Sequence, residues 1–246
     1  MNFDDYLNTL RVEGELYVAA LATTDPQAPV PTCPEWTARE LTLHVGEVHR
    51  WARFMIENPG SRPPADIAGP APGDAHLASW LAEGHIAVVQ ALEAANPDGA
   101  FYTFLADPPS PRTFWARRQA HETAMHRVDL QSANGQITPF TSQVAADGID
   151  EMLTGFIPRK HMKLRSGRPQ TLLVAPHDCD ERWLVTISAN AAVTARTGGA
   201  ADCTLGGSAA DILCALWNRP TAGQLDVAGD GSVVALFTDS VQIRWG

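Results

Sequence analysis

Glu122 and His126 stand four residues apart in PRTFWARRQAHETAMHRVDLQ, and His44 lies upstream in TARELTLHVGEVHRW. On an α-helix, residues four apart project from one face. A carboxylate and an imidazole so placed can grip one metal ion while a second helix supplies a third ligand. Three protein ligands leave a coordination position open, and an open position is what distinguishes a chemical metal site from a structural one.

The same spacing has a plainer reading, in which Arg118 and Glu122 pair at i,i+4 on a solvated helix face. The neighbouring residues favour a lined cavity. Trp115, Arg118, Glu122, His126 and Asp129 fall on one stripe, and an indole among charged groups suits a cavity wall better than open water. Two related motifs do not fit. HExxH needs its second histidine at position 125, where Met125 stands. Di-iron bundles need Glu-x-x-His at i,i+3 on two helices, and this chain has neither the spacing nor the second copy. One metal ion is the simpler inference. Two histidines and a carboxylate suit Zn²⁺, with Fe²⁺, Ni²⁺ and Mn²⁺ compatible with the same ligand types.

The elements that must position these residues are helical through the first half. Residues 3 to 22 carry Phe3, Leu7, Leu10, Leu16, Val18, Ala19 and Leu21 at mostly helical spacing. Thr37 and Glu40 form a capping box, and Trp36 before it can staple onto Leu41, so the start of the helix bearing His44 is doubly specified. Its apolar stripe runs Leu41, Val45, Val48, Ala52 and Met55, with His44 at the border and turned partly inward. His49, rotated about 140° from His44, is expected to face solvent. Residues 59 to 74, PGSRPPADIAGPAPGD, read as a loop, either a lid or a connector. Asp74 is the expected cap of a third helix that runs to about residue 95. A fourth starts near Ser110 with Pro111 in its first turn and stops at Gly135, which places Glu122 and His126 in its middle. A further helix over residues 142 to 157 is expected to complete a first domain spanning 1–160. Beyond it, the runs TLLVAP, RWLVTIS, AAVTAR, CTLGG, QLDVAG and VQIRW are β-prone. One helix interrupts them, capped by Ser208 with Asp211 three residues on. Residues 161–246 therefore read as a second domain of α+β type.

Composition narrows the function class. The chain has 246 residues, 45% hydrophobic and 19% charged, enough for one large or two smaller cored domains. Its formal net charge of -10, with no basic cluster, argues against nucleic acid and anionic membranes as partners. No segment is apolar for the ~20 residues of a membrane span and the N-terminus lacks a signal-peptide pattern, so the expected location is the cytoplasm. Cys33, Cys179, Cys203 and Cys214 show no CxxC spacing and are expected to be free thiols. Cys33 reads as a buried or loop-lining residue rather than a nucleophile, since no histidine is near it in sequence.

CPEWTARELTLHVGEVHRWA followed by FWARRQAHETAMHRVD, in that order and separation, resembles the mycothiol-dependent maleylpyruvate isomerase family. The likeness covers nearly the whole chain, is strongest in those two segments and weakens after residue 160. It implies a DinB-like four-helix bundle followed by a small α+β domain of sterol-carrier-like shape. It also implies a divalent metal, zinc by expectation, on His44, Glu122 and His126, with mycothiol as thiol cosubstrate.

The chemistry expected of such a centre is activation of a thiol, mostly protonated at neutral pH, as its thiolate. Addition to an activated C=C bond, rotation and expulsion of sulfur give cis–trans isomerisation; addition alone gives S-transfer to an electrophile. An unsaturated keto-acid would need cationic partners, for which Arg118, Arg127 and Arg219 are candidates. Each has a competing role: pairing with Glu122 for Arg118, a position about 100° off the ligand face for Arg127, and finishing a helix for Arg219. Asp129 is a candidate to orient His126 or to accept hydroxyls of the thiol, or is a surface carboxylate. Two rivals stay open: a thiol-independent zinc hydrolase, and a non-enzymatic protein whose second domain binds a small ligand.

Overall fold

A computed structural model describes residues 1–220 and 223–242. The chain divides into two compact units, Met1–Phe104 with Pro108–Thr138 and Leu105–Asp107 with Pro139–Gly246.

The first unit is a bundle of α1 (Phe3–Leu21), α2 (Ala38–Glu57), α3 (Leu77–Ala94) and α4 (Pro111–Ser132). Helix starts follow local chemistry. Asn2 and Asp5 close a capping box on α1. On α2, the Thr37 hydroxyl accepts from the Glu40 amide at 3.3 Å while Glu40 accepts from the Thr37 amide at 2.7 Å. Pro111 fills the first turn of α4, where its missing N–H leaves nothing unsatisfied, and Gly135 just past the end adopts φ 73°. Tyr17, Leu41, Val45, Leu81 and Leu130 form a buried cluster that ties the four helices together, with Trp36 packed against it. Each such side chain contributes roughly 1.5–3 kcal/mol over its exposed state.

α4 is the central helix, in contact with α1, α2 and α3, and its residues are buried almost without break from Phe114 to Gln131. So polar a helix can sit there only if its charged groups pair with one another. That is the physical setting of Glu122 and His126.

Three features of this unit differ from the sequence reading. His49 is buried, 1% exposed, because α2 is covered by α3 as well as by α4. Asp74 opens a 3-10 turn, Asp74–His76, whose N-cap is Gly73, and its carboxylate pairs with Arg39 at 3.3 Å instead of capping. A short antiparallel hairpin, β1 (Pro29–Val30) and β2 (Cys33–Thr37), precedes α2.

The second unit begins with α5 (Ser142–Asp150), which continues as a π-helical segment, Glu151–Phe156. Both belong to this unit, whereas the sequence reading drew the boundary near residue 160. Thr194 donates to the carbonyl of Leu153 at 2.7 Å, and Asp150 accepts from Trp183 and from both ends of the Arg196 fork. These bonds supply partners where the helical ladder changes register. The sheet contains β3 (Gln170–Pro176), β4 (Trp183–Ile187), β5 (Val193–Ala195), β6 (Cys203–Gly207) and β7 (Asp226–Gly229), in the order β5-β4-β3-β6-β7. All neighbours are antiparallel except β3 and β6. Central β3 alternates, with Gln170, Leu172, Val174 and Pro176 on its buried face, and Leu172 is paired with Val185 and Cys203.

Ser208 caps α6 (Ala209–Leu216), accepting from the Asp211 amide at 3.1 Å, as the sequence spacing predicts. α7 (Ser232–Ser240) is a further helix of this unit, in a stretch that carried no helical expectation. Of the run VQIRW, Val241 and Gln242 lie in no strand and the remainder falls outside the described residues. Among the described residues no helix is long and apolar enough to cross a membrane.

Candidate metal centre

α2 and α4 bring His44, Glu122 and His126 together, with one potential ligand atom from each lying within 4.8 Å of the others. His126 Nε2 is 3.3 Å from Glu122 Oε1, and His44 Nε2 is 3.7 Å from the same oxygen. Ligand atoms held ~2.0–2.1 Å from one ion at tetrahedral angles stand about 3.3 Å apart, and the two imidazole nitrogens lie near that distance from Glu122 Oε1. Glu122 and His126 are buried, while the His44 side chain is 23% exposed, which gives the cluster its side toward solvent.

The charges around this cluster are arranged for a cation. Burial by itself raises the Glu122 pKa, but the imidazoles of His126 and His44 and the Arg118 guanidinium outweigh it and hold the carboxyl well below the usual range. Arg118 donates to Oε2 at 3.1 Å, so the i,i+4 pair foreseen on a solvated face exists in the interior, and Oε1 is the oxygen turned to the imidazoles. Burial likewise lowers His126, yet its bonds to Asp129 and Glu122 prevail and raise it to about 9.

Asp129, one turn beyond His126, accepts from His126 Nδ1 at 2.9 Å. A carboxylate in that place requires the proton on Nδ1 and leaves the Nε2 lone pair for a ligand role. The Cys33 thiol also donates to Asp129 Oδ2, at 3.6 Å. Trp36, at the end of the same β-strand, sets its ring centroid 4.9 Å from that of His44 and 6.5 Å from that of His126.

Of the other residues singled out from sequence, Arg118 and Asp129 join the cluster through Glu122 and His126. Arg127 is engaged elsewhere. Its Nε and Nη2 donate to the two oxygens of Glu13 at 2.7 and 3.2 Å, and Nη1 donates to Gln131 and to the Thr138 carbonyl, a buried clamp of α1 on α4. Arg219 lies in the second unit just past α6. There Asn218 takes φ 60°, the Arg219 amide bonds to the Cys214 carbonyl at 2.8 Å and its side chain reaches the Trp217 carbonyl.

Sequence reasoning missed three features of this region. For Trp36 a signal was present, since a staple residue must lie against the first turns of the helix it starts. For Cys33 with Asp129 there was none. The third is a pair of buried histidines, with His49 Nε2 bonded to Thr123 Oγ1 at 2.9 Å and its ring 5.4 Å from that of His85. Burial lowers these two to about 3 and about 4, which keeps both neutral. Once the Nε2 proton of His126 is displaced, the cluster offers two imidazole nitrogens and one anionic oxygen, a donor set that suits a borderline divalent cation.

Residues 7–131 match the mycothiol maleylpyruvate isomerase N-terminal domain, and residues 143–236 match the MDMPI C-terminal domain. No curated protein matches the sequence. The crystal structure of the mycothiol-dependent maleylpyruvate isomerase is similar at 15% identity and TM-score 0.64, covering 93% of each chain. A mutant of that isomerase gives 16% identity and TM-score 0.66 over the same 93% of each chain. At such identities the structural likeness is one of fold, and the two domain matches carry the assignment: the chain belongs to the mycothiol-dependent maleylpyruvate isomerase family.

Proposed function

We propose that the protein is a mycothiol-dependent metalloenzyme of the maleylpyruvate isomerase type. It would isomerise an unsaturated acid from cis to trans or transfer a thiol sulfur to an electrophile. His44, Glu122 and His126 are assigned as ligands of one divalent ion, Zn²⁺ by ligand type. The observation that carries this reading is the meeting of two imidazole nitrogens and a carboxylate oxygen within 4.8 Å, in a chain of this family.

A divalent cation held by these residues supplies the positive charge that keeps a thiol, with an ordinary pKa of about 8.5, as its thiolate at neutral pH. The protein's share is positioning. Asp129 fixes the His126 tautomer and ring plane, and Arg118 occupies Glu122 Oε2 so that Oε1 is the oxygen presented. Arg118, beside the cluster, is the proposed cationic partner for a substrate carboxylate. Arg127, committed to Glu13, is assigned to the α1–α4 clamp.

Purified protein should carry about one divalent ion per chain, lost in His44→Ala and in Glu122→Ala. Loaded protein should act on a cis-unsaturated keto-acid only when mycothiol is supplied, and His126→Ala should not act at all. Metal well below stoichiometry and indifferent to these substitutions, or equal turnover without thiol, would overturn the reading.

A further inference from the structure

The hairpin before α2 contributes two side chains to the cluster region, and only one of them acts through another residue. Cys33 bonds to Asp129 and so supports His126 at one remove. Thr32 Oγ1 lies 3.4 Å from Ser132 Oγ, so a second residue beside the hairpin meets α4. Trp36, by contrast, sets its own ring beside both imidazoles, tilted 44° to His44 and 40° to His126. Its position is held from two sides. It precedes the Thr37–Glu40 capping box, and it packs on the buried cluster that includes Leu41 and Val45. The indole is half-buried, and His44 is the ligand candidate with the most exposed side chain. The indole thus stands directly beside the ligand candidate whose side chain is partly open to solvent.

From this placement we infer that Trp36 is a specificity-determining residue, a flat apolar wall that selects planar, conjugated acids over saturated ones at the metal centre. The inference rests on the proposed metal reading and adds the class of ligand shape. A conjugated C=C–C=O unit is planar and can lie against an indole face over its whole length, while a saturated chain staggers at each carbon and loses part of that contact. The indole brings no charge, so it discriminates by shape and leaves recognition of carboxylates to the cation and Arg118.

The test uses cobalt(II)-loaded protein titrated with maleate and with succinate, dianions of nearly equal size, one planar about its double bond and one flexible. Binding is followed by the cobalt visible absorption. Wild-type protein should prefer maleate by about 3- to 10-fold, the range of one aromatic face contact. Trp36→Ala should bring the ratio below about twofold, with Trp36→Phe between, since a smaller ring keeps part of the face. Cobalt addition should also quench less tryptophan fluorescence in Trp36→Phe than in wild type. If cobalt binds in all three proteins and the ratio is unchanged in Trp36→Phe and Trp36→Ala, the role given to Trp36 is wrong while the metal centre stands. If wild-type protein takes up no cobalt, the metal centre itself is wrong and this inference goes with it.

Discussion

Lowering the pH from about 8 to about 6 should weaken uptake of a divalent cation by roughly 100-fold, or ~2.7 kcal/mol at 1.36 kcal/mol per unit. The magnitude follows from His126, whose folded pKa is raised to about 9. Its Nδ1 proton is held by Asp129, so the proton that must leave before an ion can bind is the one on Nε2. Below that pKa each unit of pH costs about tenfold in apparent affinity. Glu122 adds no slope, because His126, His44 and Arg118 keep it ionised well below this window. The assay is competition for Zn²⁺ or Co²⁺ against a chromophoric chelator, corrected for the chelator's own protonation, in buffers of equal ionic strength. Calorimetry in buffers of different ionisation enthalpy should report the released proton directly. Asp129→Asn removes a charge that raises His126, so its profile should be displaced to lower pH. An affinity that moves by less than about threefold across the window would refute the placement of that proton and the ligand role of His126 with it.

Three further outcomes follow from the buried polar groups and the helix contacts. In metal-free protein His49 and His85 are held at about 3 and about 4 against an ordinary 6.5. The unfolded chain therefore takes up their protons first, and stability should fall as pH drops from about 6.5 toward 4, at up to ~1.4 kcal/mol per unit for each histidine. Denaturant melts with chelator present should show this slope, shallower in His49→Gln; a curve of equal slope in that variant would contradict it. Glu13→Ala leaves the buried Arg127 guanidinium without its carboxylate and should cost about 3–5 kcal/mol in urea unfolding, most of it recovered in Glu13→Leu with Arg127→Met. A loss below about 1 kcal/mol would mean that Gln131 and the Thr138 carbonyl suffice for Arg127. Gly46→Ala places a methyl 2.1 Å from the Trp80 ring, on which the Arg50 guanidinium stacks at 3.9 Å. A cost of about 1–3 kcal/mol and a changed near-ultraviolet dichroism are expected, and wild-type values in both would show that α2 and α3 do not pack this closely.

Features decided within a few residues were open to sequence reasoning. The i,i+4 spacing of Glu122 and His126, the Thr37–Glu40 capping box, Pro111 at the start of α4 and the Ser208 cap are consequences of helical periodicity and of backbone donors left over at helix ends. The β3 to β7 strands were legible for the same reason, since alternation and β-branched composition are local. The hairpin at residues 29–37 was not, because its strands are two and five residues long and broken by prolines. The α7 helix was hidden by β-branched Val233 and Val234, which local propensity assigns to a strand.

What surrounds the candidate ligands was settled by the packing of whole helices. Whether a histidine on α2 faces solvent depends on whether another helix covers it, and α3 covers His49. The contacts around α4 join distant positions, Cys33 to Asp129 beside the cluster across 96 residues and Glu13 to Arg127 in the α1–α4 clamp across 114. No local pattern encodes such a contact, because its partners are chosen by how whole helices pack. Local spacing was enough to say which side chains share a helix face and carry ligand chemistry. Packing determined that His44 meets them, that Asp129 sets the proton on His126 and that an indole stands beside the two imidazoles, since burial and pairing are properties of neighbours brought together by the fold.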